Sequence, residues 1–390
     1  MLFRSILRIL PLMALLVLSG SNCALQAQGL SDKEFEELSL KLSEDNGFFP
    51  TDNLVSNETS YLHVLPQIRK YVEPGQAYVG VGPEQNFSYI VAAKPKMVFI
   101  VDIRRDNLLH HLWLKSIFLT SEGRGEFMSQ LFGKPLPGGF KAGPGADARD
   151  LAKLFEGLPA DKEFYESNIE KLWQLIHSKY PRLTKPDDRR TIERIASAFH
   201  RKGLDLAYEI PGRPELNARL FPSWGSLMVQ TDLRGRTGHY LDRDESFVFL
   251  KKLAEENRLI PVVGNLAGGK ALRTVGDELR RRDLKVSLLY TSNVEFYLFR
   301  NGTMDYFIEN VGSMPVHEKG IIIRSYFNRL TGYRDIHPES IAGHLSVSLV
   351  QNIERFLQIA EDEPYRNYWD LVARDYIPSH PIPMPENPDR

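Results

Sequence analysis

The sequence predicts an α/β protein with a doubly wound, parallel sheet and a long, mostly helical insertion between the second and third strands. Three observations predict this. Short, unbroken apolar runs alternate with helical spacing over residues 77–120. The alternation stops at Gly133 and resumes at Asp244. With 42% hydrophobic and 11% aromatic residues in a chain of 390, there is enough apolar material for a core of that size.

Residues 31–43 have helical spacing, with Phe35, Leu38 and Leu42 among acids. Residues 56–72 read as a second helix. Residues 77–81 are apolar and bounded by glycines, as in a buried strand. Residues 86–93 read as a helix, 97–101 (MVFIV) as a strand, and 106–120 as a helix. Residues 133–145 hold eight Gly or Pro in thirteen positions and read as a loop. Residues 147–199 are helical in pattern, and 203–238 are irregular around Phe221 and Trp224. The alternation returns with a helix at 244–257, a strand at 259–263, a helix at 268–282 and strands at 284–290 and 321–326. Residues 346–359 read as a helix. The last fourteen residues contain five prolines and read as an extended tail. These readings divide the chain into residues 1–27, 28–132, 133–243, 244–376 and 377–390. No internal repeat is evident.

The first segment has the layout of a secretory signal peptide. Arg4 and Arg8 precede an unbroken apolar run of ten, and no acid occurs before Asp32. The run is too short to span a bilayer, which needs about twenty apolar residues. Two cleavage points compete. Cleavage before Cys23 would leave the only cysteine as a lipidated N-terminus and a membrane anchor. Cleavage after Ala27 would discard it. Both predict an exported chain in the periplasm or bacterial envelope, and both move the formal charge from −1 to −3 through loss of Arg4 and Arg8. A charge near zero argues against a nucleic-acid coat. One cysteine excludes a disulfide scaffold, an iron–sulfur cluster and a thiolate zinc site.

The main chemical signal is Tyr78-Val-Gly-Val-Gly-Pro-Glu-Gln-Asn86. A strand leads into Gly80-x-Gly82 and a helix follows, which lets the backbone approach a ligand and aims helix N–H groups at it. Asp102 lies twenty residues beyond Gly82, at the end of the next strand, where an acid commonly binds ribose hydroxyls. The third glycine of a dinucleotide fingerprint is absent. Glu84 would repel a pyrophosphate and Pro83 offers it no N–H, so NAD and FAD are disfavoured. A cationic, phosphate-free nucleoside suits Glu84 better.

On these residues the chain resembles the class I S-adenosylmethionine-dependent methyltransferase core, a Rossmann-like fold. The resemblance implies S-adenosylmethionine as cofactor. Gly80, Gly82, Glu84 and Asn86 would form the ligand loop, with Asp102 on the ribose. Gly264-Asn265 match the place where a Gly-Asp pair often meets the adenine. Asn293 and Glu295 fall where substrate and catalytic residues often sit, with Trp224 of the insertion against the acceptor. Two departures stand out: Tyr78 replaces the usual acid before the first glycine, and about 155 residues separate the second and third strands. VGPEQNFSYI, VFIVDIRRDN, PVVGNLAGGKAL and SNVEFYLF also resemble a family of uncharacterised exported bacterial proteins with this core, some of them lipoproteins.

Each residue has a plainer reading. Asp102 would cap the following helix or neutralise Arg104 and Arg105. Gly80 and Gly82 would serve packing, and Asn265 and Asn293 would be turn residues. Glu295 would pair with Arg300. His110 and His111 are adjacent on a helix and cannot chelate together. The chain has no HExxH, CxxC, P-loop or G-x-S-x-G signature. Arg280-Arg281-Arg282 complement a helix C-terminus. Sequons at Asn57, Asn86 and Asn301 carry no weight beside a bacterial-type leader. Two functions follow as expectations: an exported methyltransferase-like protein that binds a nucleoside, or a non-catalytic exported binding protein on the same scaffold.

Overall fold

The computed structural model describes residues 29–138, 145–213, 220–328 and 335–379. The expected leader, its Cys23 and most of the expected tail lie outside the described residues.

The fold is α/β. Among the described residues one mixed sheet holds β1 (Ala77–Gly80), β2 (Met97–Asp102), β3 (Leu259–Val263), β4 (Val286–Ser292), β5 (Val316–Phe327) and β6 (Ser346–Asn352). Their order is β3-β2-β1-β4-β5-β6. β1 to β5 are parallel, and β6 pairs antiparallel with β5. Every residue of β1, β2 and β3 is buried, which explains their unbroken apolar character.

The helices begin with α1 (Asp32–Leu42), which opens on a capping box between Ser31 and Glu34. A single 3-10 turn (Tyr61–Val64) leads into α2 (Leu65–Tyr71), where Pro66 sits in the first turn. After β1 comes α3 (Asn86–Ala93). Between β2 and β3 run α4 (Arg105–Thr120), α5 (Arg124–Phe132), α6 (Ala148–Gly157), α7 (Lys162–Lys179), α8 (Asp188–Lys202), α9 (Trp224–Met228) and α10 (Asp244–Glu255). Then follow α11 (Ala271–Arg281), α12 (Val294–Asn301), α13 (Met304–Gly312), α14 (Ile353–Asp362) and α15 (Tyr368–Ala373).

α4 joins the sheet to the helical segment. It packs on β2 and β3 and also on α5, α7, α8 and α10. It is buried from Asn107 to Phe118, as expected for a helix covered all round. One hydrophobic cluster runs from the sheet (Val79, Ile100) through α4 (Leu112, Trp113) into the helical segment (Phe155, Phe199, Trp224).

Two expectations are corrected. Residues 346–359 are not one helix but β6 followed by α14. Ser346-Val-Ser-Leu-Val alternates with period two, and Ser346 and Ser348 bond Ser60 Oγ at 2.9 and 3.0 Å. Asn352 then caps α14 through Arg355 N at 2.9 Å. Residues 56–60 are also not helical, because Ser60 is committed to that strand.

Candidate ligand-binding site

The site is built on the carboxyl ends of β1 to β4. At the end of β1, Gly80 is required by packing. A Cβ there would lie 2.1 Å from Asn86 Oδ1 and 2.6 Å from Tyr78 Cε1. That space holds the hydrogen bond from Tyr78 OH to Asn86 Oδ1 at 2.7 Å. The Asn86 amide in turn donates to Val81 O at 2.9 Å and Pro83 O at 2.7 Å. Asn86 therefore fastens the loop instead of facing a ligand. Gly82 has φ +84°, and its Cβ position is open, with only Asn53 Nδ2 within 3.9 Å. Its carbonyl accepts from His111 Nε2 at 2.9 Å. Burial holds His111 down at about 4, so it is neutral.

At the end of β2, Asp102 is 4% exposed. Its Oδ1 accepts Arg104 N at 2.9 Å and faces Arg104 Nε at 3.3 Å. Among the described residues Oδ2 has no hydrogen-bond partner. Asp102 does not cap α4, whose first N–H, that of Arg105, donates to Asn46 Oδ1 at 2.6 Å, and Arg105 pairs with Asp188 at 2.5 Å. At the end of β3, Asn265 Oδ1 accepts Ala267 N at 3.0 Å. Glu44 accepts Asn265 N (3.1 Å), Lys270 N (2.9 Å) and Ala271 N (2.7 Å), and so caps α11 from the N-terminal segment.

At the end of β4, Ser292 adopts φ +53°, a left-handed backbone that only a few per cent of non-glycine residues adopt. Its Oγ donates to Glu58 Oε1 at 2.5 Å. Tyr290 OH donates to the same oxygen at 2.9 Å, and Gln85 Nε2 to Oε2 at 3.1 Å. Glu58 is 0% exposed and has no cationic partner among the described residues. Sequence reasoning misses this carboxylate, because residues 56–72 read as one helix and nothing in that pattern brings Glu58 to the end of β4.

These strand ends enclose a cavity of about 400 Å³. Gly82, Asp102, Asn265, Ser292 and Asn293 line it, with Tyr290 on the Glu58 side. The N-terminal segment closes the mouth with Phe48, which is 84% exposed, and with Phe49, whose ring meets Tyr297 edge-on at 5.2 Å. Five asparagines line the walls: Asn53, Asn57, Asn265, Asn293 and Asn301. Neutral amides and aromatic rings are the chemistry of a polyhydroxylated or heterocyclic ligand, and the volume lies in the range of small-molecule sites.

Five of the expected residues do not line the cavity: Gly80 and Asn86, which pack the loop, and Glu84, Trp224 and Glu295. Past the turn at Gly82 the Glu84 carbonyl opens the first turn of α3, accepting Phe87 N at 2.8 Å. Its carboxyl is buried near the Trp224 indole, and burial pushes it up to about 8. Trp224 is 1% exposed and does not face the cavity either. Glu295 is also sealed off. It pairs with Arg324 at 3.1 Å rather than with Arg300, which lies over the Phe296 ring at 5.5 Å. Among the described residues no group of His, Cys, Asp and Glu is arranged to hold a metal ion, and no helix is long and apolar enough to cross a membrane.

Fold and cavity together define an α/β protein with one ligand-sized site at the strand ends. Residues 53–134 and 162–377 match the family described as a domain of unknown function, DUF7790, and the chain belongs to that family. No protein with a curated description matches it.

Proposed function

We propose that the protein binds a nucleoside-type ligand, S-adenosylmethionine or S-adenosylhomocysteine, on a doubly wound, methyltransferase-like scaffold. The observation that carries this reading is the convergence of Gly82, Asp102 and Asn265 on one cavity of about 400 Å³. Strand order supports it. β1 leads outward to β2 and β3, and β4 and β5 lie on its other side, so the cavity sits where the order reverses. Ligands of open parallel sheets bind at that point, outside the carboxyl ends.

The donor set fits the nucleoside half. Asp102 Oδ2 is available to a ribose diol, the Asn265 amide to a base edge, and Phe48 and Phe49 to its planar face. It fits the cationic amino-acid half less well, since Glu84 is turned away. Among the described residues the cavity lining also carries no Glu, His, Lys or Cys. That favours the second reading of the scaffold, an exported binding protein without methyl transfer, and it agrees with the leader, because S-adenosylmethionine is made in the cytoplasm.

Calorimetry with S-adenosylmethionine and S-adenosylhomocysteine tests the proposal. Both are expected to bind, and Asp102→Ala to weaken binding roughly tenfold to a hundredfold through loss of charged hydrogen bonds. Arg104 keeps its bonds to the Thr51 and Asp52 carbonyls, so the variant should fold, which a thermal melt checks. Absence of heat with either ligand sinks the nucleoside reading. Binding unchanged in Asp102→Ala sinks the site assignment.

A further inference from the structure

We propose that a groove at the opposite end of β1 from the cavity binds oligophosphate groups, a site separate from the nucleoside reading. Two adjoining clefts, of about 740 and 500 Å³, share Arg69 and Arg236 in their walls. Val72 and Pro74, which lead into β1, line the larger one, whereas Val81 and Gly82 beyond β1 line the nucleoside cavity.

The groove is strongly cationic. Arg69 and Lys70 come from α2, Lys94 from the end of α3, and Arg234 from the turn before α10. Among the described residues none of these four has a carboxylate at salt-bridge distance, and Lys70 only overlies the Tyr71 ring at 4.8 Å. Arg149, Arg236 and Arg243 add three further cations, paired with Asp147 at 3.2 Å, Asp232 at 2.7 Å and Asp242 at 3.2 Å. Among the described residues Asp242 is the one acid in the walls, and it is occupied by Ala148 N at 3.3 Å and Arg243 Nε at 3.2 Å. On a chain of net charge −1 this is a local excess concentrated in a concave surface.

The arrangement selects a ligand class. A cleft of one sign focuses its field on an incoming counter-ion, and guanidinium forks match phosphate oxygens two at a time. One carboxylate would occupy a single arginine. Cations supplied by several separate segments fit a ligand with several charged oxygens, such as linked phosphates or clustered phospholipid headgroups.

The test is calorimetry with sodium tripolyphosphate at low ionic strength. Saturable one-to-one binding is expected, weakening as salt is added. The double variant Arg69→Glu, Arg234→Glu should bind at least about tenfold more weakly. Among the described residues neither side chain bonds another residue, so the fold should survive, and the melting temperature verifies it. Sedimentation with phosphatidylglycerol vesicles distinguishes the sources. Vesicle binding that tripolyphosphate displaces and the double variant abolishes assigns the groove to headgroups. Tripolyphosphate binding without vesicle binding assigns it to a free phosphorylated ligand. Both outcomes support the proposal. Binding of neither probe, or binding that the double variant leaves unchanged, overturns it.

Discussion

Arg324→Met is expected to destabilise the fold by about 3–5 kcal/mol, the range for breaking one partner out of a buried ion pair. Arg324 and Glu295 are 2% and 0% exposed in their side chains. The arginine donates to Glu295 Oε1 at 3.1 Å and to Gln351 Oε1 at 2.7 Å, and lies over the Phe356 ring at 5.3 Å. Thr291 supplies the second carboxylate oxygen with a donor at 2.9 Å. Burial already raises the Glu295 pKa, and Arg324 is the charge that opposes the rise. Without it, Glu295 must either hold an uncompensated buried charge or take up a proton, and both cost stability. The double replacement Glu295→Leu, Arg324→Met removes both charges and should recover most of the loss, because apolar residues replace buried pairs at little net cost. Urea denaturation of the four species measures this as a double-mutant cycle. A double variant no more stable than Arg324→Met alone would show that the arginine acts through its contacts with Gln351 and Phe356. The effect reaches the cavity, since α12 carries both Glu295 and the wall residues Val294 and Leu298.

How much of this was legible depends on what each residue's neighbours are. Residues 77–81, 97–101 and 259–263 read as strands because both of their faces are covered and nothing polar interrupts them. β6 did not, since its short serine-bearing alternation runs without a break into α14, and its partners, β5 and Ser60, are not adjacent to it in sequence. Gly82, Asp102, Asn265 and Asn293 are legible as a site because a parallel sheet brings its strand ends together. Phe48 and Phe49 are not, because an irregular segment has no period from which to infer where it crosses the sheet, and Glu58 is not, because a helical reading of residues 56–72 does not place it there. Glu84 is misread for a local reason. A glycine at positive φ redirects the chain, and the side chains after it point where only the three-dimensional turn determines.

That buried carboxyl yields the second large expected effect. Relative to wild type, Glu84→Gln should gain stability as pH rises from 5 to 8, by at most about 4 kcal/mol at 1.36 kcal/mol per unit. Burial raises the folded pKa from 4.5 to about 8. Between those values the folded protein holds a proton that the unfolded chain has released, so wild-type stability falls as pH rises through this window and levels off above it. Neighbouring groups tilt the curve the other way. His111 and His239 are held neutral at about 4 and about 3, which costs stability below their ordinary pKa. Lys115, held down to about 7, loses stability as pH falls from its ordinary value toward 7. These groups are common to both proteins, so the difference between wild type and variant isolates Glu84. Urea midpoints at pH 5, 6.5 and 8 measure it, and parallel curves for the two proteins would remove Glu84 as the titrating group. Because Glu84 follows directly on Gly82 and Pro83 of the cavity wall, the same titration links the pH of the surroundings to the loop that shapes the site.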